Sequence, residues 1–275
     1  MVLLPIAAYA GIYAWRFRAA RAGQLERLPS AREPGRRARV RGAGWPQALA
    51  FGLGTLLIAV ALASSLDGLG EDYLFSAHMV QHLLLGDLAP LLLLLGLSRL
   101  LLRPATRRLE RFERALGPFA SPVTGIVVWL ALIYLWHIPA LYDAALESAP
   151  LHVLEHVSFF VAGVAVWWPL VQPIPMRRRL SGMWTFAYIA AAKAGLAVLG
   201  LYLVWSDVVA YPYYETVPRI WGLSAITDQN VGGAIMMVEQ ATVLVVAFIL
   251  LFVRMLRHSE EDELRRERLE DAAVA

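Results

Sequence analysis

The apolar residues of this 275-residue chain fall in stretches of about twenty, the length at which a helix rising about 1.5 Å per residue crosses the hydrocarbon of a bilayer. Seven such stretches occur, at 1–15 (short), 45–66, 73–97, 118–141, 150–171, 183–206 and 230–253. In lipid no water is present to satisfy backbone amides and carbonyls, so each stretch must close its hydrogen bonds within itself. The fold class read from this pattern is all-α, a polytopic transmembrane helix bundle of seven spans, or six if the first stretch does not cross. Composition agrees: 59% of residues are apolar and 17% charged, against roughly 45–50% and 25% in soluble domains. The connections are short, so the reading is a single membrane domain over 1–257 followed by a charged tail at 258–275. Cysteine is absent, which excludes disulfides, thiolate metal centres, iron–sulfur clusters and cysteine nucleophiles. No P-loop, nucleotide fingerprint or Ser-His-Asp arrangement is present.

Charge orients the bundle. Nine arginines (Arg16, Arg18, Arg21, Arg27, Arg32, Arg36, Arg37, Arg39, Arg41) lie between the first two stretches, and six (Arg99, Arg103, Arg107, Arg108, Arg111, Arg114) between the third and fourth. Arg177, Arg178 and Arg179 follow on the same side, and Arg254, Arg257, Arg265, Arg266 and Arg268 lie after the last stretch, so 23 of the 25 basic residues face one way. The opposite connections carry Asp67, Glu71, Asp72, Asp143, Glu147, Asp207, Glu215 and Asp228, with Arg219 the lone base. Basic loops stay in the cytoplasm, which places the C-terminal tail inside and the acidic loops outside. The arginines read as a topology signal with headgroup contact, not as a nucleic-acid surface. Ala8-Tyr9-Ala10 resembles a signal-peptidase site, but no basic segment precedes it and cleavage there would export nine arginines. The first stretch is therefore expected to be an uncleaved helix with its N-terminus outside.

Five of the six histidines sit in the outer half of that bundle. By rise per residue His78 and His82 lie about 7 and 14 Å deep, His137 about 6 Å, and His152 and His156 about 3 and 9 Å. HMVQH and HVLEH each stack two imidazoles on one helix face, which is how a helix offers two nitrogens to one metal ion. Imidazole suits copper, zinc, iron and nickel, and a thioether shifts the preference to Cu(I). Met79 adjoins the first pair as a candidate thioether, and Met236 and Met237 lie near 10 Å on the last stretch. Glu155 is a candidate ligand or an acceptor that orients an imidazole. Polar groups are costly in lipid, so this convergence reads as metal or haem ligation ahead of helix packing alone.

Deeper still are Asp87, Lys193 and Glu239, near the midplane. They are expected to face the bundle and pair, a structural bridge being favoured over a proton relay. Asp228 and Gln229, at the outer mouth of the last stretch, either cap that helix or serve the histidines from the side. Trp45, Trp136, Trp167, Trp168, Trp205, Tyr211, Tyr213, Tyr214 and Trp221 read as interfacial anchors with no chemistry. The outer segment from Ala210 to Ile226 is expected to lie flat on the bilayer or to meet a partner. The tail SEEDELRRERLEDAAVA mixes signs at helical spacing and reads as a solvated helix.

Four blocks in order, FSAHMVQHLLLGDLAPLLLLLG (75–96), WHIPALYDAAL (136–146), LHVLEHVSFFVAGVAVWWPL (151–170) and DQNVGGAIMM (228–237), resemble the CtaG family, polytopic bacterial assembly proteins of cytochrome c oxidase. The resemblance covers roughly 70–255. It implies a non-enzymatic accessory protein of the bacterial cytoplasmic membrane, needed to form a copper-containing terminal oxidase. Oxidase subunits would be its partners, together with an extracytoplasmic copper chaperone. The histidines that match the family are His78, His82, His137, His152 and His156, and copper handling is the implied role, with haem binding or a metal-free scaffold as alternatives. One departure stands in the last block: Met236-Met237-Val238-Glu239 occurs where a tryptophan is expected after the methionine.

Overall fold

The computed structural model describes residues 3–26, 43–174, 176, 178, 180 and 182–274. Of the arginines that orient the chain, Arg27, Arg32, Arg36, Arg37, Arg39, Arg41, Arg177 and Arg179 lie outside the described residues. The described chain is helical, with no strand. In order the helices are α1 (Leu3–Glu26), α2 (Trp45–Ala63), α3 (Ser65–Asp72), α4 (Phe75–Leu83), α5 (Ala89–Gly96), α6 (Arg103–Leu116), α7 (Pro122–Trp136), α8 (Pro139–Glu147), α9 (Ala149–Val171), α10 (Met183–Trp205), α11 (Tyr213–Thr216) and α12 (Ala225–Val274).

Five of these segments are long and apolar enough to cross a membrane: Trp45–Ala63, Phe75–Gly96, Ala149–Val171, Met183–Trp205 and Ala225–Val253. A sixth is counted when Arg103–Phe119 and Pro122–Trp136, which meet at 81°, are taken as one bent unit. This is a membrane protein, as the seven apolar stretches imply. Their boundaries differ in instructive ways. The first stretch continues past Trp15 to Glu26 and is not among the five, because Arg16, Arg18 and Arg21 extend the helix beyond its apolar part. Two of those arginines are held: Arg16 Nε donates to the Leu101 carbonyl at 2.8 Å, and the Arg21 guanidinium sits 5.0 Å over the Trp45 ring. The fourth stretch ends at Trp136, because Pro139 cannot continue the helix and starts α8 instead. The last helix runs unbroken from Ala225 to Val274, about 75 Å, so the charged tail continues the final span as helix.

Between α4 and α5 the chain forms a π turn over Leu84–Leu88. Proline 90 has no N–H for the Gly86 carbonyl, and the helix absorbs the fault by reaching back five residues, from the Ala89 amide to the Leu84 carbonyl. That turn pushes Asp87 into the bundle, where it is 1% exposed. Lys193 on α10 pairs with Asp87 and lies 3.6 Å from Glu239 on α12, with its ammonium 5.2 Å over the Trp167 ring. Trp167 Nε1 donates to the other Asp87 oxygen at 2.6 Å, so this tryptophan is a core hydrogen-bond donor and not the interfacial anchor expected of it. Trp136 is likewise buried, its Nε1 donating to Ser158 Oγ at 2.7 Å.

Close approach at this level depends on missing side chains. A β-carbon on Gly163 of α9 would overlap the Gly86 carbonyl and come 2.8 Å from Pro90. Gly163→Ala is therefore expected to abolish recovery of monodisperse protein in detergent, whereas Gly52→Ala, with nothing within 4 Å, leaves it unchanged. Fluorescence-detected size exclusion of both variants checks this. Lys193→Met strands two buried carboxylates and is expected to cost about 3–5 kcal/mol. Adding Asp87→Leu should recover part of that loss, read as the detergent melting temperature of single and double variants.

Candidate metal centre

Three short helices, α3, α8 and α11, fill the connections at one end of the bundle and roof over the histidines of α4 and α9. None of the three is a separate helix in the reading of the sequence. The end of the second apolar stretch and the acidic connection at 67–72 together form α3, started by Ser64 Oγ accepting from the Leu66 amide at 3.1 Å. This helix lies so close on α4 that a β-carbon on Gly70 would be 2.9 Å from His78 Cα. Gln81 fastens it there, its Nε2 donating to Asp67 at 2.5 Å and to the Ala61 carbonyl at 2.9 Å.

Beneath the roof, His78, His82, His152, Glu155 and His156 each offer a ligating atom, all within 4.8 Å of one another. All five are buried, His78 and Glu155 fully. The i, i+4 pairs do share a helix face, with ring centroids 4.1 Å apart and planes inclined at 65° in His78–His82 and 55° in His152–His156. Hydrogen bonds around the ring fix which nitrogen carries the proton. Tyr214 Oη donates to the Gly70 carbonyl at 2.7 Å, and it therefore accepts from His78 Nδ1 at 3.0 Å. Tyr142 Oη also lies 3.0 Å from that nitrogen. His152 Nδ1 lies 2.6 Å from Glu71 Oε1 and donates to it. Both outer nitrogens being N–H, the two Nε2 atoms are left as lone pairs, and they face each other at 3.4 Å. Both nitrogens of His82, Nε2 of His156 and both Glu155 oxygens are buried without a hydrogen-bond partner. His82 Nε2 and Glu155 Oε1 stand 3.7 Å apart.

This donor set fits a metal ion. Buried polar atoms are nearly always satisfied, and here five of the exceptions, on His82, Glu155 and His156, belong to this one cluster. A separation of 3.4 Å is that of two nitrogens on one tetrahedral ion at about 2.0–2.1 Å each. The imidazoles of His78 and His152 donate outward to oxygen, the usual arrangement of ligand histidines. Glu71 is the most open of these groups, 38% exposed, and marks the mouth. Burial, then the neighbouring Asp67 and Asp72, push its carboxyl above the usual range, so this acidic rim favours a cation.

His137 stands apart from the five. It caps α7, its Nδ1 2.8 Å from the Ile133 carbonyl, and its ring is 6.5 Å from that of His82. Met79 and Met236 are buried beside it, in a cavity of about 30 Å3 that His82 and His137 also line. Asp228 caps a helix, but not its own: it accepts from the amides of Phe75 and Ser76 at 2.7 and 3.1 Å and from Ser76 Oγ at 2.5 Å, at the start of α4. Gln229 instead holds the outer loop, accepting from the Ala210 amide at 2.6 Å and donating to the Val208 carbonyl at 3.2 Å. Tyr211 and Tyr214 are 2% and 1% exposed, and so are not the anchors that position alone suggested. The residues that reasoning from sequence missed are thus Glu71, Tyr142 and Tyr214. Tyr142 lies inside the block WHIPALYDAAL, which was the available signal.

Proteins of Mycobacterium leprae and Mycobacterium tuberculosis that bear no functional name are similar to this chain, 24% identical over 262 residues and 25% over 254. Each alignment covers 86% of this chain but only 39% and 38% of the relative, so the chain spans about two fifths of their length. No solved structure matches it. Residues 34–258 match the family described as cytochrome c oxidase caa3 assembly factor (Caa3_CtaG), a range that contains every residue of the buried histidine–glutamate cluster, and the chain belongs to that family.

Proposed function

We propose that this protein accepts copper at the His78–His82–His152–Glu155–His156 cluster and presents it to a subunit of cytochrome c oxidase during assembly. The observation that carries this reading is the pair of Nε2 lone pairs facing each other at 3.4 Å in a buried site. Two such lone pairs repel unless a proton or a metal ion lies between them, and the unpartnered atoms of His82, Glu155 and His156 belong to the same cluster. Copper is the cargo that the family's oxidase needs, and imidazole is a donor copper accepts readily. The protein's own part is to keep water out, hold each imidazole in one tautomer and release the ion by exchange of ligands; no covalent bond is made or broken, so it is not an enzyme. The arginine-rich loops face the cytoplasm of a bacterial cell, which puts Glu71 and the mouth of the site outside, where an extracytoplasmic copper chaperone delivers. A void of about 30 Å3 beside the histidines suits an ion and not a porphyrin, which favours copper over haem.

His152→Ala with His156→Ala is expected to abolish oxidase maturation while the protein stays in the membrane, measured as oxidase activity and immunodetection of the same membranes. Normal maturation in that variant would show that the histidines only pack, leaving a metal-free scaffold. A Soret band in protein from haem-sufficient cells would turn the reading to haem. In a deletion strain, activity should fall at low copper and return at high copper. Glu71→Gln and Tyr214→Phe remove the outer partners of His152 and His78, and each should weaken Cu(I) binding about 10–100-fold in a competition titration against a chromophoric chelator.

A further inference from the structure

Below the cluster lies a second set of donors. His137 Nδ1 is 2.8 Å from the Ile133 carbonyl, and a carbonyl only accepts, so Nδ1 carries the proton and Nε2 is a lone pair. That Nε2 is buried and has no partner. His137 lines the cavity of about 30 Å3 together with Met79, Met236 and His82. The cavity is large enough for one ion, since even a water molecule needs only about 10–15 Å3. Met79 and Met236 are 1% and 3% exposed. They come from different helices, brought together by Gly232, one turn before Met236: a β-carbon there would stand 2.5 Å from the Phe75 ring and 3.3 Å from Met79 Cγ.

We propose that His137, Met79 and Met236 form a second copper position, specific for Cu(I), directly beneath the histidine–glutamate cluster, with His82 shared between the two. This rests on the copper reading above and adds a destination within the protein. The donors explain the specificity. The upper group includes a carboxylate beside four imidazoles, whereas the lower one is a neutral imidazole and two thioethers in an apolar wall, a soft set that suits Cu(I). Both nitrogens of His82 are unpartnered, and as a neutral imidazole with a single lone pair it ligates one position at a time, through one nitrogen or the other as its tautomer changes. Copper passes between them as Cu(I), by exchange of ligands on His82, and no electron is transferred.

The test is anaerobic Cu(I) loading of the full chain in nanodiscs, read as copper per protein and as sulfur scattering in X-ray absorption. Wild type is expected to hold two ions, with a copper–sulfur contribution. Met79→Leu with Met236→Leu, which conserves volume, should hold one ion and lose the sulfur contribution. His152→Ala with His156→Ala should also lose one ion but keep the sulfur contribution. Met237→Leu, a methionine packed against Gly200, should change neither. A wild-type protein with a single, sulfur-free ion overturns this proposal and leaves the upper site standing. A protein that binds no copper overturns both. Because the wild-type spectrum alone decides whether sulfur is bound, misfolding of a variant does not blunt the test.

Discussion

The Asp228 carboxylate holds the start of α4, accepting from two amides of its first turn that have no partner within the helix and from the Ser76 hydroxyl, all buried. A helix beginning inside a membrane protein leaves amide hydrogens without water to bond, and it can begin there only if another group accepts them. Here that group comes from α12, more than 150 residues away in sequence. The contact therefore fixes α4 against α12 in depth and in rotation. Rotation is what matters for the site, since α4 presents His78 and His82 toward α9 while Met79 joins Met236 on α12.

Around that helix, polar groups are satisfied outward and left open inward. Tyr214 and Glu71 take the outer N–H groups of His78 and His152, and Gln81 ties α3 to both α2 and α4. The roof is thereby rigid on the side of the loops, while the unpaired nitrogens and oxygens point at one another. Leaving so many polar atoms unsatisfied costs stability in a low-dielectric interior, which makes sense for atoms held ready for a ligand and little sense for packing.

The lower half of the bundle solves a different problem. Lys193 pairs with Asp87, Trp167 donates to the other Asp87 oxygen and Glu239 stands 3.6 Å from Lys193, with the π turn at Leu84–Leu88 placing Asp87 where α10 and α12 can reach it. Pro90 in the sequence forces the fault in the helix, and Gly163 gives room for it on α9. The two polar centres of this protein thus stand on one continuous segment, Phe75–Gly96, which is also its most buried span.

Much of this was legible in the sequence because membranes impose one-dimensional rules. Helix length follows from bilayer thickness, and an i, i+4 pair shares a face whatever surrounds it, so the all-helical fold, the two histidine pairs and the depth of Asp87, Lys193 and Glu239 follow from spacing alone. What spacing cannot carry is which polar group meets which across helices. Sequence position placed Tyr211, Tyr214 and Trp167 at the interface, yet they are buried, because loops and helix ends fold back over the core. It set His137 beside four other histidines by depth, yet α7 ends one residue earlier and turns that ring toward Met79 and Met236. Which residues share a helix face is a property of a single helix and the sequence determined it; tautomer, partner and the separation of His137 from the other four histidines depend on contacts between residues far apart in the chain, and only the tertiary structure decided those.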